Sequence, residues 1–202
     1  MKHVFGVMLM VALCSWLGAV SFRLAIGVDT AGEVISSHEA LIIGDHLETA
    51  HSLSAQMECR KKGIIYGLGV DYQFPRESKK LPENWYTSIG KQTHIPVYGI
   101  LGYRFETTTK VSPEIIVQNG YNFQRIKIHN HNEDWRYSAK NGAYYAFGFG
   151  LNYSEFSLNM LYRVNRFTLK GERLNGNDWE NGSDYNSLTR QFNMSLGYKF
   201  GG

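Results

Sequence analysis

The sequence predicts an all-β protein, an eight-stranded antiparallel up-and-down transmembrane β-barrel behind a cleavable signal peptide. Three observations carry that prediction. The segment from Leu188 to Phe200, LTRQFNMSLGYKF, places an apolar or aromatic residue at every second position apart from Arg190, with polar or small residues between them. A strand of this kind has one greasy face and one wet face. The same alternation runs through seven earlier segments, and the connections between them alternate between short and long. In a membrane barrel the greasy face meets lipid and the wet face looks inward.

The N-terminus supplies the leader. Lys2 and His3 precede an apolar run from Val4 to Leu13, and Ala19 and Ser21 stand two apart, which resembles a signal peptide cut after Ser21. Residues 1–21 are therefore expected to be removed, leaving 22–202 as the barrel domain. A single membrane anchor is the first alternative, but the apolar run is short against the roughly 20 residues a spanning helix needs. A lipoprotein signal at Cys14 is the second, and there Leu13 is larger than the residue usual before such a cysteine. Cleavage removes Lys2 and lowers the formal charge from +3 to +2, a balance that does not point to nucleic acid. It also leaves Cys59 as the lone cysteine, expected as a free thiol in a turn.

The first strand is expected near Phe22 to Thr30, with Phe22, Leu24, Ile26 and Val28 outward and Arg23, Ala25, Gly27 and Asp29 inward. The second, Leu47 to Glu58, puts Leu47, Leu53, Ala55 and Met57 outward, along with an ill-fitting His51. The third, Ile64 to Phe74, alternates cleanly, and the fourth presents Ile95, Val97, Leu101, Tyr103 and Phe105. Glu114 to Ile126, Ala143 to Tyr153 and Phe156 to Arg166 supply the fifth, sixth and seventh, and Leu188 to Phe200 the eighth. About ten residues per strand suits a tilted crossing of the bilayer. Short turns are expected at 59–63, 107–112 and 154–155 and long loops at 31–46, 75–94, 127–142 and 171–186, so both chain ends fall on the periplasmic side.

A water-soluble barrel of the lipocalin sort would reverse the two faces. Side-chain size argues against it. Ala25, Gly27, Gly67, Gly69, Ala146, Gly148 and Gly150 share the polar face while the aromatics share the other, and an eight-stranded barrel has little room inside.

On these residues the chain resembles the OmpX, OmpA and opacity-protein group of small outer-membrane barrels over nearly all of its mature length. The most specific piece is Ser195 to Phe200, SLGYKF, which resembles the C-terminal signal read by the barrel-assembly machinery. Met194, Leu196, Tyr198 and Phe200 fill the positions of that signal, while Gly201 and Gly202 move the Phe off the carboxyl terminus. The resemblance implies a bacterial outer-membrane location with extracellular loops and a role in adhesion or envelope integrity.

Arg23, Asp29, Glu48, Asp71, Arg104, Glu114 and Arg163 are expected as an interior ion-pair network, since charges withheld from water must be paired. The alternative is a narrow pore for small solutes lined by the same groups. No catalytic site is expected. A lipid-A deacylase of barrel type would carry a His-x-Ser pair, and no His here has Ser two positions later, which leaves a lipid-modifying enzyme as the third reading. His129 and His131 stand near Glu133 and Asp134 but lack a complete ligand set, so no metal and no cofactor is expected. Trp85, Tyr86, Trp135, Arg136, Trp179 and Tyr185 are the candidate loop contacts for a host or surface ligand, or equally part of an interfacial aromatic belt. The expected partners are outer-membrane lipid and the assembly machinery, with the protein a monomer.

Overall fold

The structure is a computed structural model that describes residues 19–30, 32–36, 45–77, 87–130, 135–175 and 178–201. Eleven strands are present among them: β1 (Ala19–Asp29), β2 (Gly32–Ser36), β3 (Asp45–Leu47), β4 (Ala50–Lys61), β5 (Ile64–Arg76), β6 (Thr87–Arg104), β7 (Val111–Asn130), β8 (Trp135–Lys140), β9 (Gly142–Tyr153), β10 (Phe156–Asn175) and β11 (Asp178–Phe200). All pairings are antiparallel, and the order β11-β1-β4-β5-β6-β7-β9-β10 returns to β11. That closed ring of eight has no free edge to leave unpaired in lipid. Phe22 pairs with Phe200 at the seam, and their rings stack 5.9 Å apart.

The three extra strands continue the wall above the ring. β2 takes over the pairing with β11 at Ser187–Arg190, beyond the point where β1 ends opposite Asn193, and β8 pairs with β10 at Thr168–Arg173, beyond the reach of β9. The described parts of the segments expected as long loops are thus largely strand. The β10–β11 ladder runs from Phe156 and Tyr198 to Asn175 and Asp178. At about 3.3 Å per residue and a tilt near 40° it rises about 50 Å, roughly twice the height of an apolar band of about 25 Å.

The faces are as the alternation predicts. Leu24, Ile26, Val97, Ile115, Phe147, Phe192 and Leu196 are exposed on the outer wall, while Arg23, Asp71, Glu114, Gln118 and Arg163 are buried within. Several glycines serve the inner face. A Cβ on Gly69 would meet the Tyr98 ring at 2.5 Å, so this glycine makes the space that the ring occupies. Gly63 (φ 82°) and Lys62 (φ 48°) form the two-residue turn between β4 and β5, where both central residues need left-handed backbone.

Four expectations about the elements change. Cys59 lies on β4 opposite Val20 and Tyr66, is fully buried, and is disulfide-bonded, not a free thiol in a turn; the chain's other cysteine, Cys14, lies outside the described residues. The first strand begins at Ala19 and not at Phe22, since Ala19–Ser21 continue β1 as partners of Arg60–Glu58. Leu47 is fully buried, not lipid-facing, because Glu48 and Thr49 interrupt the wall between β3 and β4 and reset its phase. Beyond the lipid-facing band the alternation also inverts. On β10 the inward positions change from Arg163 and Asn165 to Phe167 and Leu169, while the outward ones change from Tyr162 and Val164 to the exposed Arg166. That inversion marks where the wall leaves lipid for water.

Candidate functional site

The interior is filled in successive layers. Nearest the chain ends, Arg23 on β1, Arg104 on β6 and Lys199 on β11 surround Glu58 on β4 and Glu114 on β7. Arg23 lies 3.0 Å from Glu58 and 2.9 Å from Glu114, and Arg104 lies 2.7 Å from Glu114. Lys199 is 3.4 Å from Glu58 and donates to the Asn152 side chain at 2.6 Å. Three cations therefore face two carboxylates.

Further up, the layer is aromatic and aliphatic. Tyr98 and Tyr144 pack with ring centroids 5.2 Å apart, within a buried cluster that includes Ile65, Ile100, Ile116 and Leu161. The Tyr98 hydroxyl donates to Asp71 at 2.5 Å and accepts from Gln56 at 3.0 Å, while Tyr144 donates to Gln118 at 2.8 Å. Each ring thus fills the lumen with its body and satisfies its polar tip.

A second ionic layer follows. Arg163 bridges Asp29 at 2.9 Å and Asp71 at 2.7 Å, and Arg76 lies 3.6 Å from Asp29. Asn193 donates to Asp29 at 3.0 Å and to Ser52 at 3.1 Å. Gln73 then accepts from Arg76, Asn165 and Gln191 at 3.2, 3.3 and 3.0 Å. Beside this hub a fully buried His94 contacts Gln92 at 3.3 Å and Asn122 at 2.9 Å. Val34, Leu47, Phe167, Leu169 and Tyr185 close the extracellular end as an apolar cluster.

Of the residues expected inside, Arg23, Asp29, Asp71, Glu114 and Arg163 are buried in these layers, and Arg104 is partly buried beside them. Glu48 is not in the network. It is exposed in the break between β3 and β4, where its backbone N–H donates to the Glu77 carbonyl, because the phase change that turns Leu47 inward turns Glu48 outward. Tyr185 is likewise no loop contact: it sits on β11, 9% exposed, inside the apolar cluster. Trp135 and Arg136 are on β8 and Trp179 on β11, while Trp85 and Tyr86 lie outside the described residues. His129 ends up on β7 and His131 lies outside the described residues; His51 is exposed on the outer wall opposite Val28. Met194, Leu196, Tyr198 and Phe200 form one outward row on β11.

Sequence reading missed Glu58, Arg76, Lys199, Gln73 and the two tyrosines. Lys199 and Glu58 stand in the inward phase of strands already recognised, so pairing the inward charges of all eight strands would have found them. Arg76 could not be found that way, because a register shift between Gln73 and Arg76 turns it inward against the strand's phase.

No family model matches the sequence, and curated proteins give no significant match. Solved structures do match in fold. Neisserial surface protein A is similar at 12% identity and TM-score 0.52, covering 89% of this chain and 97% of that one. OprG of Pseudomonas aeruginosa is similar at 12% identity and TM-score 0.56, with 91% and 96% covered. A major outer membrane protein of Thermus thermophilus is similar at 12% identity and TM-score 0.51, with 90% and 100% covered. With its closed eight-strand ring, apolar outer band and polar interior, the chain has the fold of the small eight-stranded outer-membrane β-barrels.

Proposed function

We propose that the protein is a non-enzymatic surface barrel with a plugged lumen, whose raised extracellular hairpins make contacts that serve adhesion or envelope integrity. One observation carries this reading: from the Arg23–Glu114 pair through Tyr98 and Tyr144, Arg163 and Gln73 to Phe167 and Leu169, every layer of the lumen holds buried side chains in contact. An eight-stranded barrel is only wide enough for side chains to fill it, so a cross-section occupied by an arginine bridging two carboxylates supports a lumen closed to solutes. The β10–β11 hairpin, rising well above the lipid band, supports the display role.

A narrow pore is the second reading. Buried polar atoms such as Arg23 Nε, Arg76 Nη1 and Gln92 Nε2 have no hydrogen-bond partner among the described residues, and that favours water within the lumen. Single-channel recording in planar bilayers separates the two. The plugged barrel is expected to show no steady conductance, and a stable open level in the unmodified protein would replace it with the pore. Removing residues 175–178 is then expected to reduce attachment to a surface ligand while leaving the heat-modifiable gel shift of the barrel intact.

A further inference from the structure

The two ionic layers of the lumen differ in their charge balance. In the upper one Arg76 and Arg163 face Asp29 and Asp71, two against two. In the layer nearest the chain ends Arg23, Arg104 and Lys199 converge on Glu58 and Glu114, and no further carboxylate among the described residues reaches them. One positive charge is left over in a place withdrawn from water, where an uncompensated ion is costly.

The unused hydrogen-bonding capacity lies at the same level. Arg23 is 1% exposed, and its Nη2 serves both Glu58 and Glu114, while Nε and Nη1 have no partner among the described residues. Ser157 on β10 is equally buried and its hydroxyl is also without a partner. Both border Gly197 of β11, where a Cβ would stand 2.7 Å from Ser157 Oγ and 3.2 Å from Arg23 Cγ. Ala25, Gly197 and Ser157 form one row across β1, β11 and β10, so the wall beside Arg23 is kept small, and Lys199 is the ladder neighbour of Arg23.

A guanidinium, an ammonium and a hydroxyl on this row can all donate. Water would accept those hydrogen bonds and leave the surplus charge in place, whereas a dianion would overshoot it. A compact acceptor with a single negative charge meets both requirements. The chain-end mouth of the barrel favours its entry, because the exposed Arg60, Lys61, Lys62 and Lys110 outnumber Glu106 and Glu155 there and concentrate anions.

We propose that Arg23, Lys199 and Ser157 form a binding site for a monovalent inorganic anion of halide size, which enters from the chain-end mouth and completes the charge balance of the lower ionic layer. The site goes beyond the surface role and stands whether or not the hairpins serve adhesion.

The test uses the full barrel refolded in zwitterionic detergent, with sodium chloride, sodium bromide and sodium gluconate as probes at constant ionic strength. Replacing gluconate by chloride is expected to lower the unfolding equilibrium constant from urea titration about tenfold for each tenfold rise in chloride above saturation, the slope that one anion held by the folded state alone produces. Crystals grown in bromide are expected to show an anomalous peak in contact with Arg23. Lys199→Met equalises the charges and is expected to remove both signals, whereas Lys140→Gln on the extension leaves both unchanged. Should Lys199→Met not refold, Ser157→Ala, which keeps every charge, is expected to raise the chloride concentration needed for half the effect severalfold. Wild-type stability indifferent to chloride overturns the proposal, as does a chloride dependence unchanged in every variant of the site that refolds. Bromide confined to the outer surface, an adventitious ion only, overturns it too.

Discussion

The lower and upper halves of this barrel are packed by opposite rules. Inside the bilayer the lumen holds Arg23, Glu58, Glu114, Arg163, Asp29 and Asp71, and the apolar residues look outward except for the buried layer around Tyr98 and Tyr144; above it Val34, Leu47, Phe167, Leu169 and Tyr185 look inward while Arg166 and Arg190 look out. In lipid the outer face gains nothing by turning away from its surroundings, so strand order is held by the closed ladder and by polar contacts across the lumen. Once the same strands enter water, the hydrophobic effect returns and a small core of the ordinary kind holds the extension together. One continuous strand such as β10 serves both regimes by swapping the polarity of its two faces at Arg166.

Substitutions in the two halves should therefore fail differently. Glu114→Ala is expected to have the largest effect. It leaves Arg23 and Arg104 facing each other with one carboxylate, Glu58, between them, and breaking such a buried network costs about 3–5 kcal/mol. Urea titration of the refolded protein checks this, with loss of the unboiled fast-migrating band at lower urea; a midpoint unchanged from wild type would mean the ions are bystanders. Leu169→Ala, in the upper core, is expected to cost about 2–5 kcal/mol, confined to the extension. Proteolysis from outside should cut β10 and β11 sooner while the gel shift of the barrel persists, and simultaneous loss of both would show that the two halves unfold as one.

Ile26→Arg tests the lipid face at its most exposed aliphatic residue. Placed near the middle of the band it is expected to cost about 2–4 kcal/mol, read as reduced folding yield into bilayers, whereas a yield equal to wild type would put β1 outside the lipid. Lys140→Ala should matter least. Its 3.0 Å pair with Asp184 is half exposed on the extension, and such pairs contribute about 0–1 kcal/mol. A larger loss there would show that surface charge, and not the apolar cluster, holds the upper half.

The sequence by itself determined the architecture: eight alternating spans, their antiparallel order, the direction each face points within the bilayer and most of the interior charges, because alternation at period two is a local property of each strand. It also carried Met194, Leu196, Tyr198 and Phe200 as one outward row. Only the tertiary structure decided which charges meet. Arg163 reaches Asp29 and Asp71, 134 and 92 residues away along the chain, and ring closure, not neighbourhood in sequence, sets those distances. It also decided where the phase breaks. The interruption at Glu48 that turns Leu47 inward, the shift that brings Arg76 beside Asp29, and the inward turn of Tyr185 depend on whether water or lipid lies outside the wall at that height. A strand's own residues do not carry that information, because the same alternation serves a face buried against lipid and a face buried against a core.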